Sequence, residues 1–387
     1  MRLAIAGMGW VTPLGSGVDS VWARLLQGED ARPEKITGQS SDRAYSVFRV
    51  PESALLRLAP HPRLRRASLI SRFAAAAGLE ALQAAGVKPD TQSAERFALI
   101  FAVSNGGVIY TRRFYRDIIT GGAQSASPLL FPETVFNAAA SHLAAILGVT
   151  GATYTLVGDS AVGVLAIKMA EDLMANEGLD YCLVVAAEEA DWLLCDAYRQ
   201  WRLLRSEPPV EPFSDEKRGM ILSEGAGAVL LTAVPHRIAA EVRDGPVAIE
   251  SIHAGGYYRK RIEAAETLKR VLRELNQREI NFVVSNANGT FIDEAECRAL
   301  KQVVPNACVY TAKPALGESI GAAGLWQVII GAQALGRGEL PPVLHAKPAI
   351  PLRLSASGVC VSGARHAIVL GCGLNQQVGG VRLAKCF

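Results

Sequence analysis

The densest apolar patterning in the chain lies in Thr153–Gly178, TYTLVGDSAVGVLAIKMAEDLMANEG. Tyr154–Val157 predicts a short buried strand and Gly158-Asp159-Ser160 a tight corner. The residues that follow predict a helix that is apolar on nearly every side for three turns, until Gly178 stops it. Such a helix belongs inside the molecule, against a sheet or another copy of itself. A corner that feeds a buried helix holds its last residue at the helix N-terminus, where free N–H groups and the helix dipole favour negative charge. A nucleophile would be held there, and the residue in that place is Ser160.

The same alternation of strand and helix runs along the rest of the chain. Residues 2–7 and 97–103 predict buried strands, and the first leads into Gly7-x-Gly9-x-x-Thr12, where Thr12-Pro13 breaks the dinucleotide-binding pattern. The second ends in Ser104-Asn-Gly-Gly107. Helices are predicted over Ser71–Ala85 and Glu133–Leu147, with a polar segment over Thr120–Ser127 between them and His142 read as a packed histidine. Tyr181–Ala187 completes a strand–helix–strand unit with parallel pairing, and Gly219–Leu231 reads as two strands joined through small residues. After a linker at Val234–Gly245 the chain begins again. Strands follow at Val247–Ile252, Phe282–Ser285 and Cys308–Thr311, helices at Ala264–Leu275 and Gly321–Leu335, and a closing hairpin around Asn375–Gly380. Two halves, 1–235 and 246–387, thus share one grammar, which suggests an internal duplication.

Composition narrows the class. Half of the 387 residues are apolar, enough for a large core, and the formal net charge of +3 gives no argument for nucleic acid or a membrane surface. Seven scattered cysteines with no CxxC pair read as reduced thiols used as small apolar residues. The apolar start is broken by Gly7, Gly9 and Pro13, unlike a signal peptide, and no window approaches the roughly 18 apolar residues of a membrane helix. A cytoplasmic location is expected, with no metal and no cofactor.

Several motifs, in order, then carry a resemblance over nearly the whole chain: IAGMGWVTPLGSGVDSVWARLLQGED at 5–30, FPETVFNAAASHLAAILGVTG at 131–151, PFSDEKRGMILSEGAGAVLL at 212–231, NANGT at 286–290, AKPALGESIGAAG at 312–324 and SGVCVSGARHAIVL at 357–370. Together they resemble the elongating β-ketoacyl-acyl-carrier-protein synthases. The resemblance implies an α/β thiolase fold, with duplicated halves in a five-layer αβαβα sandwich.

It also implies where the active site would be, and what is missing from it. The family's cysteine, in a TACATG-like pattern, is matched by Ser160 in Gly158-Asp-Ser-Ala-Val-Gly163. The histidine of NAHGT is matched by Asn288. The histidine of TKSxxGHxxGAAG is matched by Glu318, while Lys313 is kept, and Glu296 matches the glutamate that pairs with that lysine. The gate phenylalanine near the C-terminus is matched by Ser362, in a segment that ends in His366. The segment between His253 and Glu263 is shorter than the family's loop over the acyl entrance.

A helix N-terminus stabilises an anion by on the order of 1–2 kcal/mol, which helps a thiol but cannot ionise a hydroxyl. Ser160 therefore needs a base, and the candidates are Glu318 and His366. An acyltransferase or hydrolase built on Ser160 is the alternative reading; Gly158–Gly163 is not the GxSxG elbow of α/β-hydrolases. Malonyl decarboxylation needs the missing histidines, and a scaffold with no biosynthetic role is a further class. The preferred reading is a catalytically silent paralogue resembling the chain-length factors of type II polyketide synthases, in aromatic-polyketide or polyene-type systems. It implies a heterodimer with an active ketosynthase through residues 104–160. Phe131, Val135 and Phe136 would lie at the interface, and Val108, Ile109 and Tyr110 would reach toward the partner's cavity. It also implies an acyl carrier protein docking on Arg63, Arg65 and Arg66.

Overall fold

The computed structural model describes residues 2–38, 43–56, 58–89, 94–233, 247–347, 350–356 and 359–386. The expected linker at 234–245 lies outside them. In the first half, the elements that build the layers are β1 (Leu3–Thr12), α1 (Leu69–Ala84), β2 (Phe97–Val103), α2 (Val108–Gly121), α3 (Ala138–Leu147), β3 (Thr153–Val157), α4 (Val162–Glu177), β4 (Tyr181–Glu188) and β5 (Gly225–Ala233), with further short elements, among them helices at Val18–Leu26 and Trp192–Gln200, around them. In the second they are β6 (Val247–Tyr257), α5 (Ala264–Leu275), β7 (Phe282–Val284), α6 (Phe291–Val303), β8 (Cys308–Tyr310), α7 (Ala323–Arg337), β9 (His366–Cys372) and β10 (Gln377–Lys385).

The two halves have one topology. The first sheet is ordered β3-β2-β4-β5-β1 and the second β8-β7-β9-β10-β6. In each, the second strand is parallel to the third and fourth, and the last two pairings are antiparallel. The sheets meet only where β1 and β6 begin, through Leu3 opposite Ile249 and Ala4 opposite Ala248. Fully buried β2, FALIFAV, is apolar at every position because helices cover both of its faces.

Five layers follow from where the apolar faces go. α1 and α3 cover the outer face of the first sheet, and α5 and α6 that of the second. α4 and α7 lie between the sheets and touch both, so their residues join the two halves in one core. Each ends at a glycine in the left-handed region, Gly178 at φ 63° and Gly338 at φ 75°. At their starts the two helices cross backbone to backbone: a Cβ on Gly163 would come within 3.1 Å of Gly324 Cα, and one on Gly324 within 3.2 Å of Gly163 Cα.

Four expectations need correction. Gly7 and Gly9 lie inside β1 instead of in a turn after it, because α1 runs so close that a Cβ would sit 2.1 Å from the Ala81 carbonyl oxygen and 1.9 Å from that of Ala77. The helix expected from Glu133 begins at Ala138, after a 3₁₀ turn at Phe131–Thr134. Helix α2 was not expected; it takes in the start of the segment read as polar, and none of its residues is buried. Strand β3 is an edge instead of a buried strand: among the described residues it pairs only with β2, and Tyr154 and Val157 are 41% and 53% exposed.

The Gly9 contact is testable by substitution. Gly9→Ala is expected to cost about 3 kcal/mol or to prevent folding, since helix and strand must separate. Gly255→Ala, with open space around its Cβ position, should stay within about 0.5 kcal/mol in denaturant unfolding.

Candidate functional site

The crossing of α4 and α7 brings Ser160 beside the segment that leads into α7. Gly158 N–H donates to the Val103 carbonyl at 3.1 Å, Ser160 is fully buried, and the helix begins two residues later. From the second half come the loop between β7 and α6, carrying Asn288, and the short helix Lys313–Leu316 with the extended segment after it, carrying Glu318. Ser160, Asn288, Lys313 and Glu318 therefore do come together.

Their hydrogen bonds converge on one carboxylate. Glu318 Oε1 accepts from Lys313 Nζ at 2.7 Å and from Ser160 Oγ at 3.3 Å, while Oε2 accepts from Asn288 Nδ2 at 2.7 Å. The Asn288 amide is oriented from its other side, since Oδ1 accepts from Thr290 Oγ1 at 2.7 Å. Its backbone N–H is held at 2.8 Å by Asp293, which burial raises to about 6. Lys313 and Glu318 have side-chain exposures of 5% and 0%, so theirs is a buried ion pair whose carboxylate also accepts from the Asn288 amide and the Ser160 hydroxyl.

Glu296 is not the partner of Lys313. It accepts from Ser285 Oγ and, at 3.1 Å, from Asn286 N–H, and burial pushes it up to about 8. Glu318, five residues after Lys313, has taken the ammonium instead. Gln327, on α7, donates to the Ser285 carbonyl at 2.8 Å.

Two more carboxylates, Asp159 beside Ser160 and Glu188 at the end of β4, share Tyr198 as a neighbour with Glu318, and neither was singled out in the sequence. Asp159 accepts from Asn375 N–H at 2.7 Å; burial, with Glu318 nearby, raises it to about 6. Glu188 ends β4 and accepts from Ser104 N–H at 2.9 Å; burial raises it to about 7. Desolvation pushes the hydroxyl of the buried Tyr198 upward, and Glu188, Asp159 and Glu318 add to it. A cleft of about 750 Å³ opens here, lined by Asp159, Tyr198, Trp201, Tyr257, Tyr258 and Arg261 among others. Asp159 was legible only as the neighbour of Ser160; the tyrosines come from distant segments and carry no local pattern.

The expected gate lies elsewhere. Ser362 is exposed and sits against Gly338, at the far end of α7. His366 opens β9, 3.8 Å from Glu250, whereas Ser160 lies beside Gly371 near the other end of that strand. Five residues of strand span about 17 Å, so His366 cannot be the base for Ser160. The segment beside Ser160 is Gly371–Gln376.

The remaining expected residues lie on the surface. Phe131, Val135 and Phe136 are 56%, 41% and 48% exposed, on the same side as α2 and the free edge of β3. Phe131 contacts Phe114 of α2, their ring centroids 5.7 Å apart. Ile109 and Tyr110 are half-buried, and Val108 packs inward against the cluster that holds Tyr198 and Ile320. Arg63, Arg65 and Arg66 are exposed around the turn Pro62–Leu64 that precedes α1. No cluster that could hold a metal ion is found among the described residues, and no helix among them is long and apolar enough to cross a membrane.

Comparison with known proteins gives this geometry a family. Residues 1–236 match the Beta-ketoacyl synthase, N-terminal domain family, and residues 239–347 the Beta-ketoacyl synthase, C-terminal domain family. The chain belongs to the beta-ketoacyl synthase family. Its relatives include Nodulation protein E of Rhizobium leguminosarum bv. trifolii, 26% identical over 367 residues and covering 90% of each chain. Another is 3-oxoacyl-[acyl-carrier-protein] synthase 2 of Vibrio cholerae, 24% identical over 368 residues and covering 89% of this chain and 88% of that one. Among solved structures, the ishigamide ketosynthase/chain length factor superimposes with a TM-score of 0.87 at 20% identity, covering 100% of this chain and 99% of that chain. A type II polyketide synthase acyl-carrier protein in complex with its ketosynthase, AntDE:AntF, gives a TM-score of 0.82 at 17% identity, covering 100% and 99%. The thiolase-like fold expected from the sequence is the fold observed.

The ion pair gives a sharp stability test. Glu318→Ala leaves the Lys313 ammonium buried without its partner and is expected to cost about 3–5 kcal/mol, whereas Glu318→Leu with Lys313→Met should regain most of that. Denaturant midpoints of the single, double and parent chains measure the difference.

Proposed function

We propose that this chain is a ketosynthase-like subunit without condensing activity of its own, which pairs with an active ketosynthase and shapes the cavity that receives the growing acyl or polyketide chain. The observation that carries the reading is the network on Glu318. Condensation needs a free nucleophile and donors aimed at a developing negative charge. Here the Asn288 amide gives one of its N–H donors to Glu318, the Lys313 ammonium is neutralised by the same carboxylate, and Ser160 donates to it. An enolate or oxyanion placed among Asp159, Glu188 and Glu318 would meet carboxylates in a low-dielectric site, which opposes the charge that the reaction develops.

The partner is argued from the surface. Tyr115, Ile119, Phe131, Phe136, Tyr154 and Val157 form an exposed apolar face next to an unpaired strand edge. An exposed apolar face beside an open strand edge is the kind of surface that a partner chain covers. A second synthase-type chain would extend the sheet across β3 and place its cavity over Ile109 and Tyr110. Arg63, Arg65 and Arg66 offer an acidic carrier protein a basic approach beside it.

The 3.3 Å contact between Ser160 and Glu318 favours one other reading, acyl transfer by the serine. Abstraction of the Ser160 proton by Glu318 would have to compete with the ammonium on the same oxygen, and that places it second.

In solution, mixing the chain with a candidate ketosynthase should give a stable 1:1 complex by mass measurement. Val157→Arg with Phe136→Asp should abolish it. A homodimer that persists and binds no synthase would overturn the pairing.

Within such a complex, Ser160→Ala should leave product formation within about twofold of the parent, because no acyl group passes through that hydroxyl. A loss of about a thousandfold, with an acyl group found on Ser160 of the isolated chain, would make the serine reading the correct one.

A further inference from the structure

The aromatic cleft stops one residue short of Ser160. Gly158 and Asp159 line it, whereas Ser160 is fully buried behind them. The loop that joins β9 to β10 lines the same cleft and follows Gly371, which packs against Ser160, and one side chain ties that loop down. The Asp159 carboxylate accepts from Asn375 N–H at 2.7 Å through Oδ2, and a Cβ on Gly373 would lie 2.1 Å from Oδ1. The other carboxylate oxygen also faces Ala161 N–H at 3.5 Å, which holds the side chain on its own corner. The loop is braced from behind: Asn286 Nδ2 donates to the Cys372 carbonyl at 2.7 Å, Tyr258 Oη donates to the Gly373 carbonyl at 2.6 Å, and Gly373 N–H donates to Gln377 O at 2.7 Å.

We infer that Asp159 is a positioning residue that latches the Gly373–Gln376 loop over Ser160, so that a ligand in the cleft is kept from the buried serine. A carboxylate suits this task because it has lone pairs for the Asn375 N–H while still facing Ala161. It fits only because residue 373 has no side chain. The latch also accounts for a cleft of about 750 Å³ that ends blindly at Asp159 although the helix N-terminus behind it is built as a nucleophile site. The inference concerns access, and it stands whether or not the chain pairs with a ketosynthase, since its test uses the isolated chain.

The test reads access as a rate. A thiol is introduced by Ser160→Cys, and its alkylation by iodoacetamide is followed by peptide mass spectrometry, which separates it from the native cysteines. Adding Asp159→Ala should speed alkylation at position 160 at least about tenfold. Adding Asp159→Asn should leave it slow, because the amide oxygen still accepts from Asn375 N–H. That pair of variants separates the latch from an electrostatic effect on the thiol, since both remove the charge and only one removes the tie. An Asp159→Ala rate equal to the parent's overturns the inference, as does an Asp159→Asn rate equal to that of Asp159→Ala. Should Asp159→Ala fail to fold, Gly373→Ala, which drives the loop off the carboxylate, carries the same test, and labelling no faster than the parent's overturns the latch.

Discussion

Gly163 and Gly324 let the two central helices touch through their backbones, and much of the molecule's arrangement depends on that contact. Each glycine lies in the first turn of its helix, so the crossing sets the two helix N-termini side by side instead of merely stacking two cylinders. Ser160 is three residues before one glycine and Glu318 six residues before the other. A Cβ at either crossing point would meet the other helix's backbone at 3.0–3.2 Å, so the helices would have to give, and the 3.3 Å contact between Ser160 and Glu318 would shift with them. The duplicated topology supplies the symmetry: two sheets of the same strand order, back to back on a shared helical layer, offer one inward corner each.

The interior assembled in this way is strongly polar for a place so deep. Glu318, Lys313 and Asn288 satisfy one another, and Glu296, Asp293 and Glu188 each accept backbone or hydroxyl donors. Desolvation raises Glu296, Asp293 and Glu188 above the usual carboxylate range. The Lys313–Glu318 pair is the exception in kind, since each charge there meets its opposite directly. An arrangement of this sort resists change: removing one member strands another, and this gives the site a structural reason to keep its polar residues.

The outer surface divides its labour in space. One side, built from α2, the Phe131–Thr134 turn and the edge of β3, is apolar and has an open strand. The cleft near Tyr198 and Tyr258 instead presents aromatic rings and arginines beside Asp159. Glu133 links the apolar side to α1, accepting from Ser68 N–H at 2.9 Å and meeting His142 at 2.6 Å. His142 is thus the packed histidine its sequence context suggested, with a carboxylate partner that the sequence could not name.

Local pattern determined a good deal by itself. The boundaries of α5, the full burial of β2 and the glycine stop of α4 are written in residues that lie next to one another. Ser160, Asn288 and Glu318 were singled out from motif spacing, because each motif keeps its own frame, and the structure brings them together. What the tertiary structure decided were the relations between segments. Lys313 chose Glu318 over Glu296, Gly7 and Gly9 turned out to serve a helix some 70 residues away, and the segment beside Ser160 proved to be Gly371–Gln376 and not the one carrying Ser362 and His366. β3 reads as a buried strand because its residues are apolar, yet its exposure depends on which strands lie beside it. Short-range order follows from propensity and periodicity, whereas partners, access and exposure follow from how the sheets and helices close on one another, and no single stretch of sequence contains that information.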